Sequence, residues 1–331
     1  MTGLSDSFQR PINYLRVSVT DRCNLRCVYC MPEEGVPWLP HSNILSYEEL
    51  LAIIQAGAEL GISRVRITGG EPLVRAGIVE FVRMVASIKE IKDLSMTTNA
   101  IYLAKNAADL KKAGLNRVNI SLDTLKPEKF KKICRGLDKN TEITQVLEGI
   151  AAAKAAGLNP VKINMVVMAG VNDDEIVDFA KKTIDDGWNV RFIELMPYTG
   201  QDGRVPSGLS AREIKTRLNP LGKMVPTKSE IGNGPAKYYR FPGAKGTIGF
   251  ITAISEHFCV SCNRLRLTAD GKLRPCLMSE TMIDLREPLR AGVSSDKLKE
   301  LIRQAVIAKP MGHHLVEGQR PNDRPFCQVG G

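Results

Sequence analysis

The stretch Tyr14-Leu-Arg-Val-Ser-Val-Thr-Asp-Arg-Cys-Asn-Leu-Arg-Cys-Val-Tyr-Cys30 decides how the rest of the chain is read. Its first half, Tyr14–Thr20, is rich in β-branched residues and reads as a strand. The remainder carries Cys23, Cys27 and Cys30, spaced C-x3-C-x2-C, with no fourth cysteine or histidine close behind. Three thiolates can hold three irons of a cubane cluster and leave the fourth iron without a protein ligand. A structural zinc site wants four closed ligands, and electron-transfer ferredoxins supply a full set of cysteines. The triplet therefore points to a catalytic iron–sulfur cluster with one iron open to a small ligand.

Outward from this stretch, short strand-like runs alternate with helical ones as far as about Leu195. The further strand candidates are Arg64–Thr68, Asp93–Thr98, Arg117–Ser121, Val161–Val167 and Asn189–Leu195. Between them a helix begins at the capping box Ser46-Tyr-Glu-Glu49 and runs to about Leu60. Others span Gly77–Lys89, Leu103–Ala113, Thr144–Ala156 and Asp174–Asp186. Gly61, Gly114, Gly157 and Gly187 stand where left-handed caps are expected. Strand–helix alternation makes right-handed βα units on a parallel sheet, so the expected fold is α/β, a partial (βα)6 TIM-type barrel. In such barrels function gathers at the C-terminal ends of the strands. The cysteine triplet, Gly69-Gly70-Glu71-Pro72, Thr97-Thr98-Asn99, Ser121-Leu122-Asp123 and Glu194-Leu195-Met196-Pro197 all fall there.

After Tyr198 the composition shifts to Gly, Pro and Lys, with β-like pieces at Lys237–Arg240 and Thr247–Ile254 and a helical pattern at Asp296–Ile307. The expected organisation is a barrel over residues 1–198 and a β-containing extension over 199–331. The extension carries a second set, Cys259, Cys262 and Cys276. Three readings stay open for it. It could hold zinc with a distant fourth ligand such as Cys134, Cys327 or a histidine. It could hold a closed electron-transfer cluster, or a second cluster with an iron open to substrate. Arg264 and Arg266 alternate with apolar residues, so on a strand both face one side, and guanidinium forks suit phosphate oxygens.

Composition bounds the class. The chain has 331 residues, 43% hydrophobic and 25% charged, an ordinary globular balance that excludes disorder. No apolar run is long enough to span a bilayer, and Met1 to Arg10 lacks the apolar core of a signal peptide. A cytoplasmic location, with no membrane partner, is the expectation. Eight cysteines in a chain this large read as metal ligands or core residues, not as a disulfide scaffold. The net charge is +10, but the basic residues are dispersed and aromatics are only 5%, so stacking platforms for nucleic acid are sparse. A polyanionic small substrate would use the same charge in one pocket.

The triplet on the loop after the first strand, with an aromatic at Tyr29 and Gly69-Gly70-Glu71-Pro72 after the second, resembles the radical S-adenosylmethionine (SAM) superfamily. An extended set of stretches is similar to its GTP 3′,8-cyclase family, which begins molybdenum cofactor biosynthesis. These are Arg10-Pro-Ile, Leu15-Arg-Val-Ser-Val-Thr-Asp-Arg-Cys23, Arg66-Ile-Thr-Gly-Gly-Glu-Pro72, Val118-Asn-Ile-Ser-Leu-Asp123, Arg191-Phe-Ile-Glu-Leu-Met196, Ala236-Lys-Tyr-Tyr-Arg240 and the terminal Gly-Gly. The resemblance implies two [4Fe–4S] clusters, the first on Cys23, Cys27 and Cys30, the second on Cys259, Cys262 and Cys276. It implies SAM contacts at Tyr29, Gly70, Glu71, Ser121 and Met196. It places GTP against Arg16, Arg66, Thr97, Lys162, Arg264, Leu265 and Arg266, and gives a catalytic part to Arg264, Arg266, Gly330 and Gly331. The implied reaction removes the ribose 3′ hydrogen of GTP with a 5′-deoxyadenosyl radical and joins C3′ to guanine C8. Implied partners are a flavodoxin- or ferredoxin-type electron donor and a downstream cyclic pyranopterin synthase. A homodimer is among the assemblies open to the chain. Two rivals are another radical SAM maturase with an auxiliary cluster, and a metal-containing nucleic-acid-binding protein without catalysis.

Overall fold

A computed structural model describes residues 3–197, 207–228, 232–313, 315, 321 and 324–330. The first half runs β1 (Tyr14–Ser18), α1 (Tyr47–Glu59), β2 (Arg64–Thr68), α2 (Ile78–Ala86), β3 (Asp93–Thr98), α3 (Leu103–Lys112) and β4 (Arg117–Ser121). It continues through α4 (Pro127–Cys134), α5 (Ile143–Ala155), β5 (Lys162–Val167), α6 (Ile176–Asp185) and β6 (Asn189–Glu194). The second half adds α7 (Ala211–Leu218), β7 (Val225–Thr227), β8 (Lys237–Arg240), β9 (Thr247–Ile251) and β10 (Arg264–Leu267). It ends with β11 (Lys272–Arg274), β12 (Ile283–Asp284), α8 (Arg286–Arg290) and α9 (Ser295–Ile307).

β1 to β6 pair in chain order, all parallel, as βα units require. The extension does not make a sheet of its own. Its β10 adds in parallel to β1, and its β9 adds in parallel to β6. Antiparallel β11–β12 and β8–β7 complete the two ends. The boundary expected at 198/199 lies in a segment outside the described residues.

Side-chain alternation sets two faces. Leu15, Val17, Val65, Ile67, Leu265 and Leu267 are buried in the layer between sheet and helices. That layer takes Leu50, Ile53 and Ile54 from α1, at the spacing of one helical face. The opposite face lines the barrel interior, where Tyr14, Arg16, Arg66, Arg264 and Arg266 project. The helix starts are encoded locally. Ser46 accepts from the Glu49 N–H at 3.1 Å, and Glu49 returns a bond to the Ser46 N–H at 2.7 Å. Gly61, Gly114, Gly157 and Gly187 take positive φ at the helix ends, as their positions require. α4 and α7 exceed the sequence reading, which placed no helix over 127–134 and, after 198, only the one at Asp296–Ile307.

The turn after β2 packs directly on the cysteine loop. The Gly70 N–H donates to the Thr20 carbonyl at 2.8 Å, and the Glu71 N–H to the Arg22 carbonyl at 2.8 Å. A Cβ on Gly70 would lie 2.3 Å from the Arg22 carbonyl oxygen, a backbone atom that cannot step aside alone. Gly70→Ala is therefore expected to cost about 1–3 kcal/mol by overpacking. The cluster-free protein should show it as a lower urea midpoint at unchanged slope. An unchanged midpoint would mean that loop and turn do not approach this closely.

Candidate active site

The Cys23–Cys30 loop leaves the C-terminal end of β1 and is held from three sides. Besides the β2 turn, it receives α4: the Arg26 N–H donates to the Cys134 carbonyl at 2.9 Å and the Val28 N–H to the Ile133 carbonyl at 3.0 Å. Arg135, which caps α4 in a left-handed conformation, donates to the Arg26 and Met31 carbonyls at 2.7 Å each. From the end of β3, Asn99 Nδ2 reaches Asn24 Oδ1 at 2.8 Å. All three thiols sit well above their ordinary range. Burial does this at Cys23; at Cys27 a hydrogen bond with the Cys134 thiol leads and burial follows; at Cys30 the partner is Cys327. Iron entering the site must therefore displace protons.

The second set lies at the start of β10 and the end of β11. Cys259 opens a 3-10 turn whose carbonyl accepts the Cys262 N–H at 3.1 Å. Burial alone would raise the Cys262 thiol, but the Arg264 and Lys309 charges and bonds from Arg264 together bring it down to about 6. The distant cysteines considered as a fourth ligand are elsewhere: the Cys134 and Cys327 thiols meet Cys27 and Cys30 of the first set. His313 has both ring nitrogens engaged, Nε2 facing the Ala253 carbonyl at 2.8 Å and Nδ1 taking the Leu315 N–H at 3.4 Å. Among the described residues, no three His, Cys, Asp or Glu side chains converge as one metal ion requires. A cubane takes each thiolate on a different iron and so needs them spread apart.

One cavity of about 310 Å³ is lined by all six cysteines. Tyr29, Gly70, Glu71, Ser121, Met196, Thr97, Arg16, Arg66, Arg264 and Arg266 line it too. Tyr29 donates to Asp123 Oδ2 at 2.8 Å, and burial pushes the Asp123 carboxyl up to about 6. The Glu71 carboxylate accepts from the Leu73 and Asn99 N–H groups and the Thr98 hydroxyl. It braces the ends of β2 and β3, and burial raises it to about 7. Thr97 Oγ1 and Asn164 Oδ1 are buried without a hydrogen-bond partner, the condition a bound ligand relieves.

Strand register builds the cationic wall. Arg16 on β1 stands opposite Arg266 on β10 and Arg66 on β2. Burial, then the charges of Arg266 and Arg66, drives Arg16 well below its ordinary range. The Gly330 carbonyl accepts from Arg16 Nη2 and Arg266 Nη1 at 2.9 Å each, so the tail enters this wall. Gly330 has φ of +76°, and a Cβ there would meet Thr68 at 3.2 Å. Gly331 lies outside the described residues.

Two of the expected GTP residues stand apart from the cavity lining. Leu265 points into the hydrophobic layer with no exposed surface, because its strand neighbours Arg264 and Arg266 take the interior face. Its side chain cannot touch a ligand in the cavity. Lys162 does not line the cavity; it lies at the start of β5 among Arg191, Arg117 and Arg66, and burial followed by those charges lowers it to about 7. Arg191, which sequence reasoning passed over, does line the cavity, and its Nε is buried without a partner. The signal was available: in Arg191-Phe-Ile-Glu-Leu, alternation puts 191, 193 and 195 on one face.

The two sets should differ in reactivity. In the cluster-free chain near neutral pH, Cys262 is expected to alkylate with iodoacetamide before Cys23, Cys27 or Cys30, read by peptide mass spectrometry. Arg264→Ala should slow Cys262 alone. Equal rates at all four would contradict this charge environment.

The family profile of the Radical SAM superfamily matches residues 17–183, and that of Molybdenum Cofactor Synthesis C matches residues 188–315. The GTP 3′,8-cyclase of Heliobacterium modesticaldum is 52% identical over 331 residues, covering 98% of this chain and 99% of the relative. That of Pelotomaculum thermopropionicum is 50% identical, covering 99% of this chain and all (100%) of the relative. Among solved structures, Streptococcus suis SuiB bound to S-adenosylmethionine superposes with a TM-score of 0.60 at 16% identity, over 96% of this chain and 77% of that one. The structure of anSMEcpe with bound AdoMet gives 0.62 at 14%, over 93% and 81%. These two likenesses speak for the fold alone. With half the sequence shared over nearly its whole length and the superfamily profile matched, the chain belongs to the radical SAM superfamily and, within it, to the GTP 3′,8-cyclase family.

Proposed function

We propose that this cavity converts GTP to 3′,8-cyclo-7,8-dihydro-GTP, a reaction of molybdenum cofactor biosynthesis. The supporting observation is that two cysteine triplets and a row of buried cations line one cavity. The donor set fits the superfamily's cofactors: three thiols from one loop, and partnerless oxygens at Thr97 and Asn164. Cys23, Cys27 and Cys30 would hold a [4Fe–4S] cluster beside SAM, which together supply the 5′-deoxyadenosyl radical that removes the ribose 3′ hydrogen. Cys259, Cys262 and Cys276 would hold a second [4Fe–4S] cluster whose open iron offers guanine a ligand position.

The protein's own part is to bind, orient and exclude. Tyr29, Gly70, Ser121 and Met196 form the wall for SAM. Arg16, Arg66, Arg264 and Arg266, with Arg191 and deeper Lys162, take the triphosphate. Pinning both ends of GTP leaves the ribose between them, where C3′ meets its reactant and C8 lies within reach of the same carbon. After C3′ and C8 bond, one electron and one proton complete the product. A flavodoxin- or ferredoxin-type donor supplies the electron, and a cyclic pyranopterin synthase takes the product. Residues 1–198 form the unit that generates the radical, and 199–331 the unit that holds the base.

Anaerobic reconstitution with reductant, SAM and GTP tests this. Cys27→Ala should abolish 5′-deoxyadenosine formation. Cys262→Ala should leave that cleavage while abolishing the cyclised product; an unchanged product yield would refute the second site.

Lys162 gives a pH test. With its ammonium near pKa 7, the free chain holds it largely neutral at about pH 8, and an adjacent triphosphate favours the charged form. GTP binding at that pH should take up a proton, visible in calorimetry across buffers of different ionisation enthalpy. Affinity should fall as pH rises through and above 7. Lys162→Met should remove the uptake; uptake that survives it would place the triphosphate elsewhere.

A further inference from the structure

Arg10 and Lys309 belong to no part of the mechanism, yet both are buried cations that bond backbone carbonyls at and near the second cysteine set. Arg10 is 6% exposed and Lys309 3%. Arg10 Nη1 donates to the carbonyls of Cys259 at 2.7 Å and Met311 at 2.9 Å, and Nη2 to that of Pro310 at 2.6 Å. Its charge is balanced by Asp6, whose Oδ2 accepts from Nε at 2.6 Å and whose side chain is wholly buried. Lys309 Nζ donates to the carbonyls of Arg264 at 2.8 Å and Pro275 at 2.6 Å.

Three of these five carbonyls lie at or close to the three cysteines in sequence. One belongs to Cys259 itself, one lies two residues beyond Cys262, and one immediately precedes Cys276. The two clamps are also joined. Arg10 holds residues 310 and 311, and the residue before them, Lys309, grips the other two loops. Cys262 and Cys276 leave the same end of the antiparallel β10–β11 pair, but the cysteines themselves lie outside its paired residues, Arg266 with Arg274 and Leu267 with Leu273, so the ladder alone does not hold them. Carbonyls bonded to a buried cation are costly to release, because the charge would lose its solvation.

We propose that Arg10 and Lys309 are positioning residues that preset the Cys259, Cys262 and Cys276 thiols before metal enters. Outer partners of this kind orient ligands and typically change metal affinity by about 10–100-fold. The inference rests on the second-site reading above, so its test uses a probe other than iron.

The full-length chain carrying Cys23→Ser, Cys27→Ser, Cys30→Ser, Cys134→Ser and Cys327→Ser retains only the second triplet. Metal-free, it is titrated with arsenite, which binds three thiolates, and Cys262→Ser serves as the loss control. Lys309→Met and Arg10→Met are each expected to weaken arsenite capture about 10–100-fold. Lys309→Arg and Arg10→Lys, which keep a donor cation, should recover most of it. Capture unchanged in both Met variants, with circular dichroism matching the parent, overturns the proposal. So does loss that the charge-retaining variants fail to restore while their circular dichroism is unchanged. Iron uptake by the same parent chain is read separately. Arsenite capture that depends on Lys309, without iron uptake, would sink the second-cluster reading and leave the positioning intact.

Discussion

Three guanidinium groups stand side by side on one face of three adjacent strands. Backbone pairing sets Arg266 beside Arg16 and Arg16 beside Arg66. Like charges at such spacing repel by a few kcal/mol per pair at an effective protein dielectric of about 20, and burial adds to the penalty. The fold accepts this because the register is fixed from behind, where Leu15, Val17, Leu265 and Leu267 alternate with the arginines and bury in the hydrophobic layer. Sliding a strand by one residue would turn its arginines into that layer. The ladder therefore holds a positive surface that the side chains alone would disperse, and a polyanion is the ligand that relieves it.

The same strand joins the two cysteine sets. The first follows β1 directly, and Cys262 lies two residues before β10. Because β10 pairs with β1 in parallel, the two sets lie beyond opposite ends of adjacent strands, and the one cavity they both line runs along the strands between them. At that junction, Asn263 Nδ2 donates to Asn13 Oδ1 at 2.8 Å, and the Asn263 carbonyl accepts from Tyr14 N–H at 3.3 Å. Two cysteine triplets on one chamber thus follow from extending the barrel sheet by one strand.

Much of the barrel was legible because its signals are local. The capping box at Ser46, the glycines at 61, 114, 157 and 187 and the β-branched runs each act within a few residues. The cysteine loop was legible for the same reason. What escaped was non-local or marginal. Nothing in Arg264–Leu267 announces β1 as its partner, since strand pairing across the chain leaves no mark in either segment. α7 carries a capping box of its own, Ser210 with Glu213, which was missed against the Gly- and Pro-rich composition around it. α4 is short and highly charged, and its place is set by the cysteine loop it supports. Leu265 failed as a ligand contact because motif membership does not say which way a strand residue points, whereas alternation does. Arg191 shows the converse, a charged residue that a strand carries into the barrel interior.

The central claim is that the arginine row is a triphosphate site. The most direct test is the thermal midpoint of the cluster-free chain with guanosine, GMP and GTP over a range of salt concentrations. The account predicts that the midpoint rises with the number of phosphates, that the rise shrinks as salt increases, and that Arg66→Ala lowers it for GTP while barely changing it for guanosine. Equal stabilisation by guanosine and GTP, insensitive to salt, would contradict it.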